Sequence, residues 1–261
     1  MNEIQKAMLE EKNEEHAFYL LNLGNYTETN YYWIMVWAGI YNYRKILDYV
    51  LEKEFPIHEH VYLTTMCEAA KYGHADIVHL LADRVYKNKY GYVMGYAAEG
   101  GYIDIVNFLL GLGADDYNHS MRLAPMAKNN SDNIVQIMLD LGANNYSETA
   151  RNAAEMGNIN VVNIMQSKGA NNYNEIMEAA ALGGNIELVK LMLEKGANNY
   201  NGAMFVAANR GHLEIVEFLL EKGARNYTEC ISNVYLGYEN CKKQQIVELL
   251  AIYANGKAKL S

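Results

Sequence analysis

The chain is short of proline. It has 2 in 261 residues, where average usage of about 5% would supply roughly 13. Collagen-like and Pro-rich architectures are excluded, and the rigid turns and helix stops that proline imposes are rare. Basic charge is also in deficit. Lys and Arg number 22 against 31 Asp and Glu, for a formal charge of −9. That balance repels a phosphate backbone, and no dense Lys/Arg patch reverses it, so nucleic acid is not an expected partner. Lys242, Lys243, Lys257 and Lys259 read as a solvated terminal tail. Cysteine is scarce: Cys67, Cys230 and Cys241 are odd in number and far apart, which suits a reducing compartment and not a disulfide scaffold. Long apolar runs are missing as well. The most apolar stretch, YYWIMVWAGIY from Tyr31 to Tyr41, is about half the roughly 20 residues a membrane span needs, and reads as a buried helix. The N-terminus, MNEIQKAMLEEKNEEH, is acidic and lacks the apolar core of a signal peptide. These absences point to a soluble, cytoplasmic protein with no membrane partner.

Catalytic signatures are absent too. The phosphate-cradling G-x-x-x-x-G-K-[ST], the G-x-S-x-G elbow and the H-E-x-x-H zinc helix do not occur. No C-x-x-C pairing suggests structural zinc. His58 and His60 flank Glu59 beside Pro56, but a metal site would need further ligands at suitable spacing, and none is evident. No cofactor, metal or enzymatic activity is expected.

What the chain does contain is a repeat. GADDYN begins at Gly113, GANNYS at Gly142, GANNYN at Gly169 and Gly196, and GARNYT at Gly223, so one step of 29 is followed by three of 27. Each period runs Gly-Ala, Tyr, a small polar residue, Ala-Ala, Gly, then an apolar stretch. In the period from Tyr173, the position of Asn174 recurs as Asn118, Ser147, Asn201 and Thr228, residue types that accept bonds from the free N–H groups of a first helical turn. It predicts the N-cap. A first helix then runs to about Leu182 and stops at Gly183-Gly184. A second carries Ile186, Val189 and Leu193, widened by Leu188 and Met192. It stops at Gly196. One such pair cannot bury its own apolar faces, whereas stacked pairs share a core, so the expected fold is an all-α solenoid of about nine helix pairs. The domain expectation is one array over 1–261, with degenerate capping repeats at 1–55, regular repeats at 56–227 and a C-terminal cap and tail at 228–261. Residues 17–21 read as a second helix without a full partner. Pro125 stands where Ala154, Ala181 and Ala208 stand in their periods, which predicts a kinked or shortened first helix there.

Residues 207–224, AANRGHLEIVEFLLEKGA, and 69–81, AAKYGHADIVHLL, resemble the core of an ankyrin repeat. The likeness extends over nearly the whole chain. It departs from the family in its period, 27 residues rather than about 33, and in lacking any Thr-Pro-Leu-His. The shortfall lies where the family carries its projecting hairpin, which here is cut back to Asn-Asn-Tyr. Heavy Asn and Tyr usage resembles the ankyrin proteins of giant, mimivirus-like DNA viruses of amoebae. The resemblance implies a non-catalytic scaffold that binds another protein, such as a host factor, through the concave face of its first helices. A ubiquitin-ligase adaptor is an alternative, and a small-ligand binder or enzyme using the tyrosine ladder another.

Tyr117, Tyr146, Tyr173, Tyr200 and Tyr227 hold one phase. A position that repeats unchanged is better suited to joining repeats than to recognising a partner, so these read as structural rings. Positions that vary between periods are the recognition candidates. On the first helices these are Tyr96, Arg122, Arg151, Glu155, Met156, Phe205 and Arg210, types that include common hot-spot residues.

Overall fold

The computed structural model describes residues 3–23, 28–53, 57–235 and 241–256. Pro56, Lys257 and Lys259 lie outside them. Among the described residues there are 18 α-helices and no strand. They belong to two compact units, Met1–Asn144 and Asn145–Ser261.

The first unit holds five helix pairs: α1 (Glu3–Leu9) with α2 (Glu14–Leu23), α3 (Glu28–Tyr41) with α4 (Arg44–Glu52), α5 (Glu59–Tyr72) with α6 (Ala75–Leu81), α7 (Tyr90–Gly100) with α8 (Ile103–Gly111), and α9 (Tyr117–Leu123) with α10 (Ser131–Asp140). The second holds four: α11 (Tyr146–Glu155) with α12 (Ile159–Ser167), α13 (Tyr173–Gly183) with α14 (Ile186–Glu194), α15 (Tyr200–Arg210) with α16 (Leu213–Glu221), and α17 (Tyr227–Tyr235) with α18 (Cys241–Ala254). Within each unit the first helices pack side by side along their length, while the second helices touch lightly. Side-chain size explains the difference. The Ala-Ala pairs Ala69-Ala70, Ala97-Ala98, Ala180-Ala181 and Ala207-Ala208 are fully buried, and small residues let helix backbones approach closely. The second helices contribute larger groups, such as Ile77, Val106, Met165 and Leu219, to the core between layers.

Five of the first helices, α5, α7, α11, α13 and α15, end in the same way. Gly184 adopts φ 80° and the next residue, Asn185, returns its N–H to the carbonyl of Ala180 at 2.8 Å. Tyr102 bonds Ala97 at 3.0 Å, Asn158 bonds Ala153 at 2.8 Å and His212 bonds Ala207 at 2.9 Å in the same manner. This is a Schellman closure, which satisfies carbonyls that a helix end leaves free. The same side chains then reach the preceding repeat. His212 Nε2 lies 3.0 Å from the Leu182 carbonyl, and His74 Nε2 lies 2.9 Å from that of Ile40. Asn185 Nδ2 donates to the carbonyls of Ala154 and Glu155 at 2.9 and 3.1 Å.

The helix starts differ from expectation by two residues. The helices begin at the tyrosine itself, and the cap is the residue before it. Asp116 accepts from the His119 N–H at 3.0 Å, and Asn199 accepts from that of Gly202 at 3.2 Å. The Asn after the tyrosine instead clasps the next loop. Asn174 Oδ1 accepts from the N–H groups of Asn198 and Asn199 at 2.7 and 3.0 Å. Asn201 does the same for Arg225 at 2.7 Å, and Asn118 for Asn144 at 2.8 Å. A one-dimensional reading places a capping residue type near a helix start, but it does not show that stacking offers a second set of unpaired N–H groups nearby.

Three further corrections follow from the structure. The helix containing residues 17–21 has a partner, the short α1, whose Ile4, Ala7 and Met8 are buried without an Ala-Ala pair to announce them. Lys242 and Lys243 belong to α18 and not to a tail. In α14 the fully buried side chains are Leu188, Val189 and Met192, while Ile186 and Leu193 are half-buried. At Pro125 the expectation holds: α9 stops at Leu123 and a 3-10 turn covers Ala124–Met126. Asn130, at φ 61°, then supplies the left-handed residue ahead of α10, and its Nδ2 donates to the Gly101 carbonyl at 2.9 Å.

Two substitutions test this account by urea unfolding. Asn174→Ala removes two bonds to backbone N–H groups of the next loop and is expected to cost about 1–3 kcal/mol. Gly196 sits at φ 102° with open space around a would-be Cβ, so Gly196→Ala is penalised only by its backbone conformation, about 1–2 kcal/mol. A neutral Asn174→Ala would remove the clasp from the list of stabilising contacts.

Candidate functional site

The first helices present their non-core sides to solvent, and the variable residues lie there. In the first unit, Tyr96 on α7 and Arg122 on α9 are both half-buried and are linked through two residues absent from the sequence-based candidates. The Tyr96 and Tyr92 hydroxyls are 3.0 Å apart. The Tyr92 ring stacks on His119 with centroids 5.3 Å apart and planes 16° from parallel. Arg122 Nη2 donates to His119 Nδ1 at 3.1 Å. The hydrogen bond with Tyr92, followed by burial, raises the Tyr96 phenol above its ordinary range. The Tyr92/Tyr96 and His119/Arg122 spacings, i,i+4 and i,i+3, are the sequence signal that each pair shares a helix face.

The His119 ring occupies a notch made by a glycine. A Cβ on Gly95 would lie 2.2 Å from His119 Cδ2 and 2.5 Å from Nε2, so no other residue fits at 95 without moving the ring. His119 Nε2 is buried and has no hydrogen-bond partner among the described residues. Burial, with the Arg122 guanidinium adding to it, lowers the imidazole pKa against the weaker pull of Asp116 and Glu99. Nearby, Lys71 Nζ pairs with Glu99 Oε1 at 2.7 Å, and burial raises the Glu68 carboxyl.

Aromatic residues continue on α3. Trp33 is 46% exposed and stacks on Trp37 at 5.9 Å, with Tyr32 edge-on at 4.9 Å. His58 and His60 stack on each other at 5.7 Å, and His60 lies 6.0 Å from Tyr32. Trp33 and Trp37 were hidden in the apolar run 31–41, which is read as wholly buried when periodicity is ignored.

In the second unit, Arg151 and Glu155 on α11 line a cleft of about 490 Å³. Glu175, Glu178, Ala179 and Leu182 of α13 and Val206 of α15 complete it, with Ser147 and Glu148 at the start of α11. Met156 is 46% exposed at the end of α11. Phe205 is half-buried and Arg210 exposed on α15, and neither lines the cleft. Glu148 and Glu175 are one period apart, in a phase that holds Gly202 in the next period and His119 in the one before. Stacking makes them neighbours around one opening. Gly183, a variable position in sequence, is constrained by packing, since a Cβ there would lie 1.9 Å from the Glu155 carbonyl oxygen.

The five tyrosines of fixed phase are the first residues of α9, α11, α13, α15 and α17, and all are half-buried. Tyr227 lies 6.1 Å from the Tyr253 ring. Cys67 and Cys230 are buried free thiols. Burial pushes Cys67 well above the usual thiol range and Cys230 up to about 11, which leaves little thiolate near neutrality. Among the described residues, no three His, Cys, Asp or Glu side chains form a group that could hold a metal ion. No helix among them is long and apolar enough to cross a membrane.

The stacked pairs, Ala-Ala contacts and glycine-closed helix ends define a helical-repeat protein. A family model described as ankyrin repeats in three copies matches residues 34–121, 152–230 and 176–257. The chain belongs to the ankyrin-repeat family. No curated protein matches it. Ankyrin repeats generally mediate protein–protein interaction.

The His119 notch makes a pH prediction. A pKa lowered from 6.5 in the folded state means that the neutral ring stabilises fully above about pH 6.5 and that this contribution is lost as the pH falls below it. In His119→Gln the unfolding free energy is expected to fall less steeply on acidification than in the parent. Superimposable pH profiles by urea titration would refute the role given to the ring.

Proposed function

We propose that this protein is a non-catalytic scaffold that binds another protein across the face formed by its first helices. The observation that carries the reading is a contrast along those helices. Their core side repeats almost unchanged, as Ala-Ala and the glycine closure do. Their outer side changes residue by residue: Arg151, Glu178 and Phe205 occupy the same phase of α11, α13 and α15. Packing demands the first pattern and has no use for the second. The contact set is Tyr96, Arg122, Arg151, Glu155, Met156, Phe205 and Arg210, extended by Tyr92, Trp33 and Trp37. In family terms the first helices line the concave face, and the five tyrosines join loops. A standard interface on it would bury about 800 Å² per partner. The Asn- and Tyr-rich shortened loops favour an origin in a giant DNA virus and hence a host-cell protein as partner, and the reduced thiols Cys67 and Cys230 suit an intracellular setting.

Proximity labelling in the native host cell tests this, with the parent chain compared with Phe205→Ala and Arg210→Ala. The expected result is loss of one labelled protein while the helical circular dichroism signal is unchanged. An identical labelled set from all three chains would count against the face.

A further inference from the structure

The cleft of the second unit has a composition that the repeat does not require. Its floor is apolar: Ala179 is buried, and Leu182 and Val206 are half-buried. Its walls carry four carboxylates, Glu148, Glu155, Glu175 and Glu178, against one guanidinium, Arg151. Two of the carboxylates are held in place by asparagines. Asn172 Nδ2 donates to Glu175 Oε2 at 2.8 Å, and Asn199 Nδ2 donates to Glu178 Oε1. An amide is neutral, so these bonds orient the carboxylates without supplying a counter-charge. Stacking sets the carboxylates of α11 and α13 around one opening, where they outnumber the single guanidinium and leave a net negative charge that attracts a cation. No three of the acidic groups are placed to hold a metal ion, so the negative charge is spread along the walls instead of converging on a point. Spread charge above an aliphatic floor suits a long cationic side chain. The methylene stem of Lys or Arg would lie on Leu182 and Val206 while its head meets the carboxylates. The volume, about 490 Å³, is within the range of roughly 300–1,000 Å³ that takes a ligand of this size. Phosphate-bearing and acidic partners would meet repulsion from the same walls.

We propose that this cleft receives an extended basic segment of the partner protein, with a Lys or Arg side chain flanked by an aliphatic residue. The inference rests on the first-helix face being the binding face and specifies what that face accepts.

A phage-displayed library of random linear peptides, panned against the full chain, tests it. Enriched sequences are then synthesised and titrated by calorimetry against the parent, the double variant Glu148→Gln/Glu155→Gln, and Phe205→Ala/Arg210→Ala. Gln keeps the size of Glu, and circular dichroism checks that each variant is folded. The expected result is enrichment of peptides with Lys or Arg beside an aliphatic residue. Their affinity should fall about tenfold or more in the Gln pair and weaken with added salt. Binders without a basic residue, indifferent to the Gln pair but lost in Phe205→Ala/Arg210→Ala, would overturn the inference and leave the first-helix face standing. Binders indifferent to both pairs, or no binder at all, would overturn both.

Discussion

Every helix leaves peptide groups unpaired at its two ends, and a protein of short helices has many such ends. Here the neighbouring repeat satisfies a share of them. Asn174 accepts from the N–H groups of the next loop, and Asn185 and His212 reach back to carbonyls at the end of the previous first helix. Each bond is worth about 1 kcal/mol net. Its larger consequence is geometric, because it fixes how far and at what rotation one pair sits on the last. The Ala-Ala contacts need that spacing, and so do the glycines that a Cβ would force apart, such as Gly183 against the Glu155 carbonyl.

Once the core side and both ends of the first helices are committed to stacking, only the outer side is free to vary. This gives the two units different outer surfaces on the same frame. The first is aromatic, with Trp33, Trp37, Tyr92 and Tyr96 and the His119 ring in the Gly95 notch beside the Arg122 guanidinium. The second is a carboxylate-walled cleft with an apolar floor. Each surface offers chemistry that the other lacks, which is a route to specificity from a uniform backbone.

Much of the architecture was legible because its causes are local. The glycine stops, the apolar stripes and the break at Pro125 depend on residues within one helical turn, and α9 ends at Leu123 as the proline requires. The helix starts were misassigned by two positions for a related reason. Asp116, Asn118, Asn172 and Asn174 are all good caps by residue type. Only the stacked neighbour shows which of them has a second set of N–H groups to serve. The partner helix α1 was missed because it is 7 residues long and has no Ala-Ala pair. Of the candidate contacts, Arg151 and Glu155 share a cleft, and Tyr96 and Arg122 are joined through Tyr92 and His119. The residues that complete each group, namely Glu148, Glu175, Tyr92 and His119, lie at positions that no motif in the sequence marks.

The sequence by itself determined the helix pairs, their period, where most of them stop and which residues are too small to hold helices apart. These follow from backbone preference and apolar spacing, which act over a few residues. Tertiary structure decided which asparagines cap and which clasp, where His119 rests, and that carboxylates one period apart surround a common cleft. Groups 27 residues apart along the chain act on one another only when stacking brings them within a few ångströms.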